Sequence, residues 1–85
     1  MKHPHPRRVK VTEKKLLREA ALGQAYKKLR RIEIDPRLHC RERLDTMIHE
    51  MLHIIFPALS EYMVRKIAIE ICDKLWEDGY RRIHL

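Results

Sequence analysis

Several absences narrow the class of this 85-residue chain. Its two cysteines, Cys40 and Cys72, are too few for a disulfide scaffold, which argues against a small secreted domain held by bridges. No apolar run approaches the roughly 20 residues of a membrane-spanning helix. The N-terminus lacks the apolar core of a signal peptide, so the expected location is the cytoplasm. There are no internal repeats and no low-complexity segments. Acidic residues are in deficit: 12 Asp and Glu against 19 Lys and Arg leave a net charge of +7. At 45% hydrophobic residues the chain is globular, one domain, and small for a self-sufficient core, so an ion bridging two helices would add stability.

The positive charge is concentrated early, in Arg7, Arg8, Lys10, Lys14, Lys15 and Arg18, then Lys27, Lys28, Arg30 and Arg31. Such a surface attracts polyanions or acidic peptides. No nucleic-acid-binding motif accompanies it, and a solvated surface is the plainer reading.

Residues 1–6 carry two prolines in alternation and read as a disordered basic lead; residues 7–85 form the single domain. Arg7 to Val11 alternate charge with valine, as a short strand does. Thr12 resembles an N-cap for a helix beginning at Glu13, and Gly23 ends that helix or starts a strand through Tyr26, unless the helix runs on to Leu29. Arg31-Ile32-Glu33-Ile34-Asp35 alternates strictly and predicts a strand that Pro36 ends. A helix from about Arg41 to Ile55 has Leu44, Met47, Ile48, Met51, Leu52 and Ile55 as its apolar stripe, and Pro57 stops it. Ser60 caps a last helix running to about Glu77, with stripe Val64, Ile67, Ala68, Ile71, Cys72 and Leu75 and Gly79 as its stop. Only about five residues join these two helices, so they should pack as an antiparallel pair.

The densest chemistry lies in His49-Glu50-Met51-Leu52-His53, an H-E-x-x-H pattern on the first of these helices. Spacing i, i+4 puts both imidazoles on one face, one turn apart, where they can share a metal ion. Glu50, beside them, is placed to work on a water at the metal's open position. The flanking Thr46, Met47, Ile48, Met51, Leu52, Ile54 and Ile55 are all uncharged in a chain that is 36% charged. That suits a helix packed on a core along one face and holding an ion along the other. The plain alternative is an amphipathic helix with two incidental histidines.

A catalytic zinc takes three protein ligands and a water. The third ligand should come from the neighbouring helix, where Glu61 and Glu70 compete. At about 100° per residue, Glu61 points within roughly 50° of the centre of that helix's stripe and Glu70 well over 100° away. The short turn also brings Glu61 near His53. Glu61 is therefore preferred, against the bland role of a first-turn acid facing the helix dipole.

Ile32 to Leu38, Leu44 to His53, Leu59 to Glu61, Leu75-Trp76 and Gly79 to Arg81 resemble the small zincin-like, SprT-like HExxH metallopeptidases of bacteria and phages. They also resemble the minigluzincins, minimal zincins whose third ligand is a glutamate. The similarity covers about residues 22–81. It implies an α+β fold: a minimal zincin-like domain with a small sheet, an HExxH active-site helix and an antiparallel glutamate helix. It also implies a strand along a substrate cleft. By position, His49, His53 and Glu61 would be Zn²⁺ ligands and Glu50 the general base. SprT-type proteins proper use a further downstream histidine, and here only His84 in the tail is available, which favours the glutamate version.

The expected function is a zinc metallopeptidase, free or latent, that acts on a peptide or protein laid against Arg31–Asp35 as an added strand. Tyr62, Tyr80 and His84 are candidates for steadying charge on the carbonyl oxygen. Asp45 is a candidate for orienting a ligand imidazole, or a salt-bridge partner of Arg41. Cys72 and Trp76 read as core. Cys40, beside His39, is either an inert turn thiol or able to approach the ion. Two other functions compete: a non-catalytic basic helical module contacting nucleic acid, and a degenerate zincin keeping zinc for stability. The oligomeric state is open.

Overall fold

The alternation at residues 31–34 does form a strand, but at the centre of a sheet. In the computed structural model, which describes residues 8–16 and 22–83, β3 (Arg31–Ile34) lies between β1 (Lys10–Glu13) and β2 (Gly23–Tyr26). β1 runs parallel to β3 and β2 antiparallel, so the sheet is mixed. Two helices follow, α1 (Cys40–Ile55) and α2 (Glu61–Glu77), completing an α+β fold. No helix among the described residues is long and apolar enough to cross a membrane.

Val11, Ile32 and Ala25 form one cross-strand row facing α1. Ile32 and Ile34 are fully buried there and pack with Leu38, Ile54, Met47 and Met51. Burying each isoleucine stabilises the fold by about 1.5–3 kcal/mol. On the other face the Tyr26 hydroxyl donates to Glu33 Oε1 at 3.0 Å, and the Arg31 guanidinium stands 4.7 Å from the Tyr26 ring centre. Together they cover the Glu33 carboxylate.

Several expectations change. Thr12 is no N-cap: it sits within β1, opposite Glu33, and Lys14–Leu16 are not helical. The β-branched pair Val11-Thr12 joins a ladder, with Lys10 N–H donating to Arg30 O at 2.9 Å and Lys14 N–H to Ile34 O at 3.0 Å. Those bonds override the helix preference of the residues that follow. The rest of the expected helix, residues 17–21, and the expected lead, residues 1–6, lie outside the described residues. β3 is paired on both sides, so no substrate strand can be added to Arg31–Asp35.

Asp35 ties the end of β3 to three other segments. Its carboxylate is fully buried and accepts from the Arg37 backbone N–H at 2.9 Å, Arg37 Nε at 2.8 Å, Arg37 Nη2 at 2.7 Å and the Leu16 backbone N–H at 3.1 Å. Its own N–H donates to Leu22 O, and its carbonyl accepts from Leu38 N–H. The Arg37 side chain, then its backbone N–H, hold the Asp35 carboxyl far below the usual carboxylate range.

α1 is packed from two sides. Met47, Met51 and Ile54 meet the sheet, while Ile48 and Leu52 meet Val64, Ala68 and Ile67 of α2. Ile54 therefore takes the buried place expected of Ile55, which is 47% exposed. α2 is capped as expected, with Ser60 Oγ accepting from Met63 N–H at 3.1 Å. It stops at Gly79, whose φ of +90° is the left-handed conformation that glycine tolerates best. The helices are antiparallel: His53 lies near Glu61 at one end, and Arg41 pairs with Asp73 at the other. Arg41 is thus not the partner of Asp45. Val64, Ala68 and Cys72 form the buried line of α2, whereas Ile71 is exposed, Trp76 half-buried and Tyr80 60% exposed. With α1 covering only one side of α2 and the sheet beyond reach, the wider predicted stripe has nothing to pack on.

A carboxyl whose folded pKa is depressed contributes stability above its unfolded pKa, about 4, and loses that contribution as pH falls below it. Asp35→Asn is expected to melt below the wild type at neutral pH, with the gap closing below about pH 4. Thermal melts of both proteins across that range check this; a gap that does not change with pH would count against the charge.

Candidate metal centre

The two-sided packing of α1 leaves one flank free, and the histidines occupy it. Counting about 100° per residue, the sheet-facing residues Met47, Met51 and Ile54 are followed around the helix by Ile48 and Leu52, then by His49 and His53. Glu50 comes next, closing the circle back toward the sheet.

α2 supplies the third group. Glu61, in its first turn, places Oε2 2.9 Å from His49 Nε2 and Oε1 2.9 Å from His53 Nε2. The two Nε2 atoms are 3.3 Å apart, with the rings edge to face at 4.9 Å between centres. All three donor atoms fall within 4.8 Å of one another. The imidazoles are about one-fifth exposed and Glu61 about half, so the cluster opens to solvent.

This donor set fits zinc. Bonds of 2.0–2.2 Å in a tetrahedron separate ligand atoms by about 3.3–3.6 Å. The Nε2 pair already matches, and a small rotation of the half-exposed Glu61 side chain opens the other two separations. Hydrogen bonds to Glu61 explain the cluster less completely. If each Nε2 carries a proton to the carboxylate, two donors face each other at 3.3 Å with nothing between them.

Glu50 lies beside the imidazoles under the start of β2. Burial pushes its carboxyl up, the neighbouring His49 and His53 charges oppose this, and the Glu61 charge adds to it. The reason it can tuck there is Gly23. A Cβ on Gly23 would stand 2.5 Å from Thr46 Cγ2, 3.2 Å from Glu50 Cγ and 3.3 Å from Glu50 Oε2. Sequence reasoning treated Gly23 only as a boundary. The available signal was a glycine inside a strand pattern, which marks close backbone approach.

β2 also has an open edge, since among the described residues it pairs with β3 alone. Asp35 N–H donates to Leu22 O, and antiparallel pairing alternates from there. The N–H and C=O groups of Gly23 and Ala25 therefore point away from β3, along the open edge.

The other candidates are elsewhere. Glu70 is exposed, on a side of α2 shared with Asp73, Lys74 and Glu77. Cys40 is at the opposite end of α1, about 13 Å along the axis from His49, and Cys72 is buried. Asp45 makes no hydrogen bond to either imidazole. Tyr62 is 69% exposed with Lys66 over its ring, Tyr80 lies beyond the far end of α2, and His84 is outside the described residues. No protein-family model, curated protein or solved structure matches the chain.

Gly23→Ala is expected to destabilise the protein by about 1–3 kcal/mol, because the strand must move off α1. Thr46→Ser removes the methyl group that the new Cβ meets, so it should recover part of that loss in the double variant. Denaturant unfolding of the four proteins checks this, and an additive cycle would mean that the contact is not the cause.

Proposed function

We propose that the protein is a zinc-dependent peptidase in which His49, His53 and Glu61 hold the ion and Glu50 is the general base. The observation that carries this reading is the convergence of two imidazole nitrogens and one carboxylate from two helices on a single point. A partly buried second carboxyl lies alongside. The resemblance to minimal zincins with a glutamate ligand points the same way.

Zinc held by three protein ligands with one open position lowers the pKa of water to about 7 and polarises a carbonyl. Glu50 takes the proton of the attacking water on its carboxylate and delivers it to the leaving amine. The peptide pairs with the open edge of β2, receiving main-chain hydrogen bonds from Gly23 and Ala25. This replaces the expected docking on β3. The support for this docking is that Gly23, at the start of that edge, lies against Glu50.

A second reading keeps the same ligands and gives the ion a purely structural task. It is favoured by the small interface that the cluster joins, where the buried side chains between α1 and α2 among the described residues are Leu52, Val64, Ala68 and Cys72. The two readings part at Glu50.

Protein prepared without chelators or a His-tag is expected to carry about one zinc per chain by elemental analysis. His49→Ala, His53→Ala and Glu61→Ala should lose it. Glu50→Gln should keep the zinc and lower hydrolysis of a mixed peptide pool, followed by mass spectrometry, by about 10²–10⁴-fold. Chelation should lower the melting temperature under either reading. Zinc bound with Glu50→Gln silent would leave the structural task. No zinc even after adding it back would end both readings.

A further inference from the structure

The other end of α1 holds a groove that the peptidase reading does not use. Its volume is about 510 Å³, within the range of small-molecule sites. Its floor is apolar, from Leu44 and Met47 of α1 and Leu75 and Trp76 of α2. Its rim is cationic, from Arg43, Arg81 and Arg82. One carboxylate serves two of these: Glu13 Oε2 accepts from Arg43 Nε and Arg82 Nη1, each at 3.3 Å. Among the described residues, three guanidiniums against one carboxylate leave an excess of two positive charges beside an apolar surface.

Arg81 is the best-placed of the three. Its guanidinium carbon stands 3.4 Å from the centre of the Trp76 ring, and Nη1 donates to Trp76 O at 3.0 Å and Tyr80 O at 2.9 Å. Stacking and two backbone bonds hold the fork against the groove wall, and its Nε and Nη2 make no hydrogen bond among the described residues. A pre-oriented guanidinium with spare N–H groups matches a carboxylate better than a free side chain does.

We propose that this groove binds a small amphipathic carboxylate, with its apolar chain over Leu44, Met47 and Leu75 and its carboxylate on Arg81 and Arg82. A neutral apolar ligand would leave the rim unpaired, and a compact anion would leave the floor wet. Only a molecule with both parts uses both surfaces.

Trp76 is the only tryptophan in the chain, so its fluorescence reports on this groove directly. Cys40 lines the groove and is exposed, whereas Cys72 is buried, so alkylation by iodoacetamide gives a second readout. Decanoate, below its micelle concentration, is expected to change Trp76 emission saturably and to slow Cys40 alkylation. Decanol, which lacks the charge, and acetate, which lacks the chain, should each bind roughly tenfold or more weakly. Arg81→Gln and Arg82→Gln, both at exposed positions, should each weaken decanoate binding by roughly fivefold to tenfold. Arg81→Gln also alters the surroundings of Trp76, so its affinity is taken from the alkylation rate. Equal binding of decanol and decanoate, equal binding of acetate and decanoate, or unchanged affinity in both variants would each overturn the proposal.

Discussion

Met47, Met51 and Ile54 press α1 onto the sheet while Ile48 and Leu52 press it onto α2, and this double contact sets the direction of every other side chain on the helix. A helix packed along one stripe can roll by tens of degrees and keep its burial; one packed along two cannot. The histidines are therefore held on the single flank left over. Their rings meet Glu61 because the antiparallel turn after Phe56 places the first turn of α2 beside the last turn of α1. The cluster thus depends on apolar contacts made by other residues.

The same constraint puts Glu50 against the sheet. Between the imidazoles and the sheet-facing methionines there is room for one carboxylate, and only because β2 begins with a glycine there. Proximity to the backbone removes water from Glu50, which raises its pKa, while the two imidazoles limit the rise. The edge of β2 that is unpaired among the described residues belongs to this same strand. The burial of Glu50 follows from this one close approach between β2 and α1.

The ends of α1 differ in chemistry. At its C-terminal end three donor atoms converge, with Arg65 near Glu61 at 3.5 Å as the nearest cation. At its N-terminal end arginines surround an apolar hollow floored by Trp76. The two share no residue: the hollow takes Cys40, Arg43, Leu44 and Met47 from α1, and the cluster takes His49 and His53. Asp35, bound to Arg37 and Leu16, secures the chain where it leaves β3 for the turn before α1.

The sequence by itself determined the elements whose signals are local. The His49/His53 pair follows from i, i+4 spacing, the Ser60 cap from its hydroxyl, the Gly79 stop from glycine's tolerance of positive φ, and the phase of Glu61 from helical periodicity. It also separated Glu61 from Glu70 by direction, and the structure places Glu61 at the imidazoles and Glu70 in solvent. Tertiary structure alone decided what depends on distant partners. Thr12 became a strand residue because β3 offered a ladder to join; β3 became central because β1 and β2 took its two edges; Ile54 was buried in place of Ile55 because the sheet lies on that side of α1. Gly23 shows the boundary most clearly: its smallness is written in the sequence, but Thr46 and Glu50, the groups that require it, lie more than twenty residues away and meet it only when the chain folds.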